Sequence, residues 1–226
     1  MKLALLSLAS LAPLVAAHFE LNYPPSRGVN EDKMTEFPCG GFAVSSNRTQ
    51  ISLSDPSFPV SLTMGHDETA LEVLLALGND PGSNFNITLK PTFRVEGLGS
   101  FCISSIELDS SVLGTNLTDG MNATVQVQSN GDPSGGLYSC ADIQFSASAT
   151  SSEPSSCKNG TGITAIPFTG ASAQRNANES TAEGAAQSGS GSSGGSATTS
   201  TAGAVPLQTA AWGVLGAAVA GGLAIL

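Results

Sequence analysis

Tyr138-Ser-Cys-Ala-Asp-Ile-Gln-Phe145 alternates with a period of two, so Ala141, Ile143 and Phe145 fall on one face of an extended chain and Cys140, Asp142 and Gln144 on the other. A segment of this kind buries one face in a core. Outward from it the same kind of short run recurs: Phe42-Ala-Val-Ser45, Gln50-Ile-Ser-Leu53, Pro59-Val-Ser-Leu-Thr-Met64, Leu71-Glu-Val-Leu-Leu-Ala-Leu77, Phe85-Asn-Ile-Thr-Leu89, Phe101-Cys-Ile-Ser-Ser-Ile-Glu-Leu108 and Ala123-Thr-Val-Gln-Val-Gln128. Turn formers separate them, among them Asp55-Pro56, Gly78-Asn-Asp-Pro-Gly82, Gly97-Leu-Gly99, Asp119-Gly120 and Asn130-Gly-Asp-Pro-Ser-Gly-Gly136. Seven or eight strands at such spacing, with no long helix between them, predict an all-β domain built as a two-sheet β-sandwich. The stretch from Glu68 to Leu77 stays open between strand and short helix, because Leu71, Leu74 and Leu75 also meet the helical period.

The ends of the 226-residue chain are made of different material. Residues 1–17 carry one Lys and then an apolar run, the architecture of a secretory signal peptide; cleavage after Ala17 makes His18 the first residue of the mature chain. At the other end, the uncharged stretch from Thr209 to Leu226 follows a small-residue spacer, the pattern of a glycosylphosphatidylinositol signal within residues 205–226, with attachment expected between Ser188 and Ala197. A single membrane-spanning helix is the competing reading, weakened because no basic residue follows the apolar run. Between Ala171 and Ala204, 27 of 34 residues are Gly, Ala, Ser or Thr, so residues 169–204 are expected to be a disordered tether unable to offset the entropy of ordering. The domain proper then spans residues 18–168, and the only Trp, Trp212, leaves with the discarded tail.

Composition excludes one class of partner. With 8 Lys and Arg against 18 Asp and Glu, and Lys2 lost with the leader, the chain lacks the clustered bases that grip a phosphate backbone, so nucleic acid is not expected. The acidic balance favours cation attraction without choosing a metal. Export permits disulfides, and Cys39, Cys102, Cys140 and Cys157 form an even set with three possible pairings. Cys39 with Cys140 and Cys102 with Cys157 is favoured, since a long closed loop would hold both ends of the sheet together. A zinc site is the alternative use of four Cys, and the absence of any CxxC pair makes it poor. Six sequons, at Asn47, Asn86, Asn116, Asn122, Asn159 and Asn178, suit the same extracellular route.

The chain has two histidines, and cleavage makes one of them the first residue. A terminal amine and the imidazole of the same residue form a chelate, and a second imidazole completes three nitrogen donors in a planar arrangement suited to Cu(II). His66 is the only possible second imidazole. Asp142, on the strand face opposite Ala141 and Ile143, is the candidate oxygen ligand, and Asp67 and Glu68 are candidates to hold His66 in one tautomer. The alternative reading makes His18 the accidental edge of a leader, His66 and its acidic neighbours ordinary loop residues, and Asp142 a solvated strand acid.

His18-Phe19 at the mature start, the acidic loop around His66, Met121-Asn-Ala-Thr-Val-Gln-Val-Gln128, Asp132-Pro-Ser-Gly-Gly-Leu-Tyr-Ser-Cys-Ala-Asp-Ile143 and the lipid-anchor tail together resemble the fungal copper-acquisition family related to lytic polysaccharide monooxygenases. The likeness covers about residues 18–168. It implies an immunoglobulin-like or fibronectin-like β-sandwich whose histidine brace binds one Cu(II) ion, with His18 giving its amine and ring nitrogen, His66 its ring and Asp142 a carboxylate. It implies a cell-surface role in copper acquisition, with a copper transporter or reductase of that surface as partner and no oxidative activity on polysaccharides. The same likeness makes a copper-dependent monooxygenase the rival. Two arguments weigh against it: with Trp212 gone, Tyr23 and Tyr138 are the only tyrosines available for a sugar-stacking platform, and a metal-bound carboxylate would crowd the oxygen site. Oxidation of another substrate stays open, as does a structural or adhesive anchored wall protein should the mature chain begin elsewhere.

Overall fold

The structure, a computed structural model, describes residues 18–131, 134–151, 154–155 and 157–188. Nine strands follow one another: β1 (Phe19–Tyr23), β2 (Thr49–Ser52), β3 (Ser57–Met64), β4 (Glu68–Leu77), β5 (Ile87–Glu96), β6 (Gly99–Glu107), β7 (Asn122–Asn130), β8 (Gly136–Ser146) and β9 (Thr164–Pro167). They form a three-stranded sheet in the order β1-β3-β6 and a six-stranded sheet in the order β2-β8-β7-β4-β5-β9. All pairings are antiparallel except β2 with β8, where Thr49 lies opposite Ile143. The sandwich expected from the alternation is the fold observed.

The inner faces make one core. Leu21 from β1, Leu62 from β3, Leu71 and Val73 from β4, Val125 from β7 and Ile143 and Phe145 from β8 are all buried in it. Truncating such a side chain, as in Leu62→Ala, costs about 2–5 kcal/mol because the cavity relaxes only in part.

β4 settles the ambiguity over Glu68 to Leu77: it is a strand, apolar almost throughout because both of its faces are covered. Leu74 and Ala76 point away from the core into a second cluster with Cys39, Phe85 and Cys140. Two segments make that outer cover. Residues 24–48 lie across β7 and β8, and Phe42 to Ser45, expected as a strand, runs there without ladder pairing because its backbone serves other partners. Phe42 accepts a bond from Arg27 Nη1 at 3.2 Å, and the Ser45 N–H donates to Asp142 at 2.8 Å. The Cys39–Cys140 disulfide fixes this cover to β8, and Cys102–Cys157 ties β6 to the segment before β9.

The second cover corrects the expected domain boundary. Residues 169–188 are not a tether but a strap across the outer face, with Ala177 and Ser180 fully buried. The Thr92 hydroxyl donates to Arg175 O at 2.6 Å, the Ala177 N–H donates to Glu72 Oε2 at 3.0 Å, and Asn178 Nδ2 donates to Tyr138 Oη at 3.1 Å. Composition pointed the wrong way because the strap holds itself by hydrogen bonds rather than by apolar side chains. The expected leader at residues 1–17 and the apolar segment from Thr209 to Leu226 lie outside the described residues, as does the attachment region beyond Ser188. Among the described residues, no helix is long and apolar enough to cross a membrane.

Candidate metal centre

Strand pairing brings the two histidines together. β1 and β3 are antiparallel with Phe19 opposite Met64, so His18 falls opposite Gly65, and the Gly65 N–H donates to His18 O at 2.9 Å. His66 is the next residue, in the turn between β3 and β4.

Local bonding decides which ring nitrogens have lone pairs to offer. His66 Nδ1 lies 2.9 Å from Glu68 O and 3.2 Å from Asp67 Oδ1. The Glu68 N–H also approaches Nδ1, at 3.3 Å, but the two closer oxygens favour the proton on Nδ1, which leaves the Nε2 lone pair for an electrophile. Asp67 meets Nδ1 with its carboxylate, whereas Glu68 meets it through its backbone. His18 Nδ1 is buried and has no hydrogen-bond partner among the described residues. A buried ring nitrogen without a partner is costly, and a metal ion is one remedy. An amine and the Nδ1 of one residue, with Nε2 of a second, is a donor set that fits Cu(II). The amine is free only if the chain begins at His18. Among the described residues, no group of three or more His, Cys, Asp or Glu is placed to hold a metal ion.

Asp142 does not join the histidines, and its expected role as ligand is corrected here. It lies opposite Thr124 on β7, which lies opposite Ala76 on β4. Ala76 stands eight residues along β4 from Glu68, roughly 25 Å at the rise of a strand, so Asp142 is at the other end of the sheet. Its carboxylate is fully occupied: Arg27 Nε donates to Oδ2 at 2.9 Å, Arg27 Nη2 to Oδ1 at 2.8 Å and Thr124 Oγ1 to Oδ1 at 2.8 Å, in addition to the Ser45 N–H. Arg48 Nη1 stands 3.6 Å from Oδ1. Burial by itself would raise the Asp142 carboxyl, but the Arg27, Ser45 and Thr124 donors outweigh it and hold the group below its ordinary value. It clamps residues 24–48 onto the sheet. Face alternation was correct, and what it could not show was Arg27, whose only sequence trace is an unexplained base in Pro24-Pro-Ser-Arg27.

The remaining expected sites divide by exposure. Asn47, Asn86, Asn116 and Asn159 are exposed, whereas Asn122 and Asn178 are half-buried and hold partners through Nδ2, the atom a glycan would take. Tyr138 lies buried beneath the strap.

Fold and site together define a disulfide-bonded β-sandwich that assembles two histidines from opposite sides of one strand pairing, at one end of its sheets. A family model described as copper acquisition factor BIM1-like matches residues 16–162. The chain belongs to this BIM1-like copper-acquisition family, which includes proteins named as similar to lytic polysaccharide monooxygenases. An uncharacterized protein of Aspergillus fumigatus is 67% identical over 100% of both chains. Lytic polysaccharide monooxygenase-like protein X325 of Yarrowia lipolytica is 31% identical, over 76% of this chain and 66% of that one. Copper acquisition factor BIM1 of Cryptococcus neoformans is 31% identical, over 59% of this chain and 62% of that one.

Proposed function

We propose that the mature chain is a cell-surface Cu(II)-binding protein of copper acquisition, which holds one ion through the His18 amine and Nδ1 and through His66 Nε2. The observation that carries this is the pair of ring nitrogens: one buried without a partner among the described residues, the other facing Asp67 Oδ1 and Glu68 O. The ion is cargo, taken up outside the cell and passed to a transporter or reductase of the same surface, where a lipid anchor holds the chain. Family membership supports copper as the metal.

The monooxygenase reading loses one objection and keeps the other. With Asp142 bonded to Arg27, no carboxylate from that strand crowds the metal. Tyr138, one of only two tyrosines, offers no ring for sugar stacking, because it is 7% exposed and bonded to Asn178. Titration of Cu(II) into protein that begins at His18, followed by electron paramagnetic resonance, tests the proposal. His18→Ala and His66→Ala each weaken binding at least a hundredfold, and unchanged affinity in either variant refutes it. Release of oxidised oligosaccharides from cellulose, chitin or wall glucan, with copper and a reductant, would establish the enzyme reading instead.

A further inference from the structure

We propose that residues 169–188 are a clamp that sets where the anchoring tether leaves the domain, and that they set it at the histidine end, so that His18 and His66 face the membrane that holds the chain. The inference rests on the copper-binding and lipid-anchor readings above. Strand register locates the exit. β7 lies beside β4 with Ser129 opposite Leu71, and the Ala70 N–H donates to Asn130 Oδ1 at 2.8 Å. The turn between β7 and β8 therefore projects beside the turn that carries His66.

Gln187 holds that turn by its side-chain amide. Its Oε1 accepts from the Gly135 N–H at 2.6 Å, and its Nε2 donates to Gly135 O at 2.9 Å and to Ser180 O at 2.8 Å. An amide that binds the N–H and C=O of one residue fixes both position and direction. Upstream, the strap is held at Arg175, Ala177 and Asn178, so a pull on the tether reaches the sheet at several points.

Length makes the exit point matter. The expected attachment region, Ser188 to Ala197, starts one residue after Gln187, and ten residues reach at most about 36 Å even at full extension. The long axis of the sandwich is comparable: β4 alone has ten residues, about 33 Å of strand. A tether no longer than the domain keeps its exit end toward the membrane.

A second feature stands at the same end. Leu98, 59% exposed, tips the turn between β5 and β6. Gly97 and Gly99 flank it with φ of +104° and +98°, conformations a side chain would strain, and the Gly97 N–H donates to Asp67 O at 2.7 Å. An apolar tip held beside the histidine loop suits contact with a partner embedded in the same membrane, whereas wall polysaccharide would meet the opposite end.

The test uses the full anchored chain in phosphatidylcholine vesicles with a surface-bound acceptor dye. A donor fluorophore is placed by an unnatural amino acid at position 98, or at position 84 in the turn at the opposite end. Transfer is expected to be at least twofold more efficient from position 98, and Gln187→Ala combined with Asn178→Ala should erase the difference. Equal transfer, greater transfer from position 84, or failure of a phosphatidylinositol-specific phospholipase to release the chain overturns the inference. Cu(II) titration of the same vesicles reads the copper assignment separately. Equal transfer with intact binding overturns the clamp alone, and lost binding with unequal transfer overturns the copper assignment alone.

Discussion

Two buried polar groups, one beside each sheet of the sandwich and at opposite ends of it, stand in opposite conditions. The Asp142 carboxylate accepts bonds from Arg27, Ser45 and Thr124, while His18 Nδ1 has no partner among the described residues. A buried polar atom left alone is costly; Arg94 Nε, Gln126 Nε2 and Asn178 Oδ1 share that condition, and His18 Nδ1 differs from them as a ring nitrogen able to offer a lone pair to a metal. In the reading proposed above, the saturated group is structural and the bare one receives the metal, although the sequence made both look like ligands.

The largest effect that can break this contrast is at Asp142. Asp142→Ala leaves Arg27 charged and 6% exposed without its counter-ion, and should cost about 3–5 kcal/mol in denaturant unfolding while the Cu(II) affinity of the folded protein stays the same. A fall in affinity with unchanged stability would restore Asp142 as a ligand. Next, His18→Ala should show the mirror image: affinity at least a hundredfold weaker, about 2.7 kcal/mol, and a melting temperature of the metal-free protein that does not fall.

Acid sharpens the comparison. Because folding lowers the Asp142 pKa, its stabilisation is fully present above the unfolded-chain value near 3.9 and is lost as pH falls through the lower folded value. Glu72 has the opposite sign. Burial raises it, opposed by bonds from the Ala177 N–H and Gln128 and aided by the nearby Glu179. Its contribution is present below the unfolded-chain value near 4.3 and is lost as pH rises through the folded value. Urea titrations across pH should therefore show Asp142→Asn flattening the acid limb, with Glu72→Gln neutral or stabilising by up to about 1 kcal/mol at pH 7. An effect of the same small size belongs to the strap: Asn178→Ala should cost about 1 kcal/mol, read as faster amide exchange in residues 177–187.

The sandwich was legible because β3, β6, β7 and β8 announce themselves by alternation or by apolar runs between turns, whereas β4 also met the helical period. β1 and β9 did not. The first is five residues beside the leader and the second is four residues outside the core. Phe42 to Ser45 has strand composition but spends its backbone on Arg27 and Asp142. Asp142 shows the limit most plainly, since period two assigns a face and says nothing about position along the strand. The pairing of His18 with Gly65 was equally hidden, because a register between segments 47 residues apart leaves no local mark. The strap was misread because its Gly, Ala and Ser content is also that of a linker, and only Gln187, Asn178 and the buried Ala177 set it apart.

The central claim is that the first residue supplies two of the three donors. Cu(II) titration with electron paramagnetic resonance, on protein that begins at His18 and on the same protein extended to begin at Ala17, tests it most directly. The mature form should bind one ion with nitrogen hyperfine structure, and the extended form should bind at least a hundredfold more weakly. Equal affinity and identical spectra from the two would contradict it.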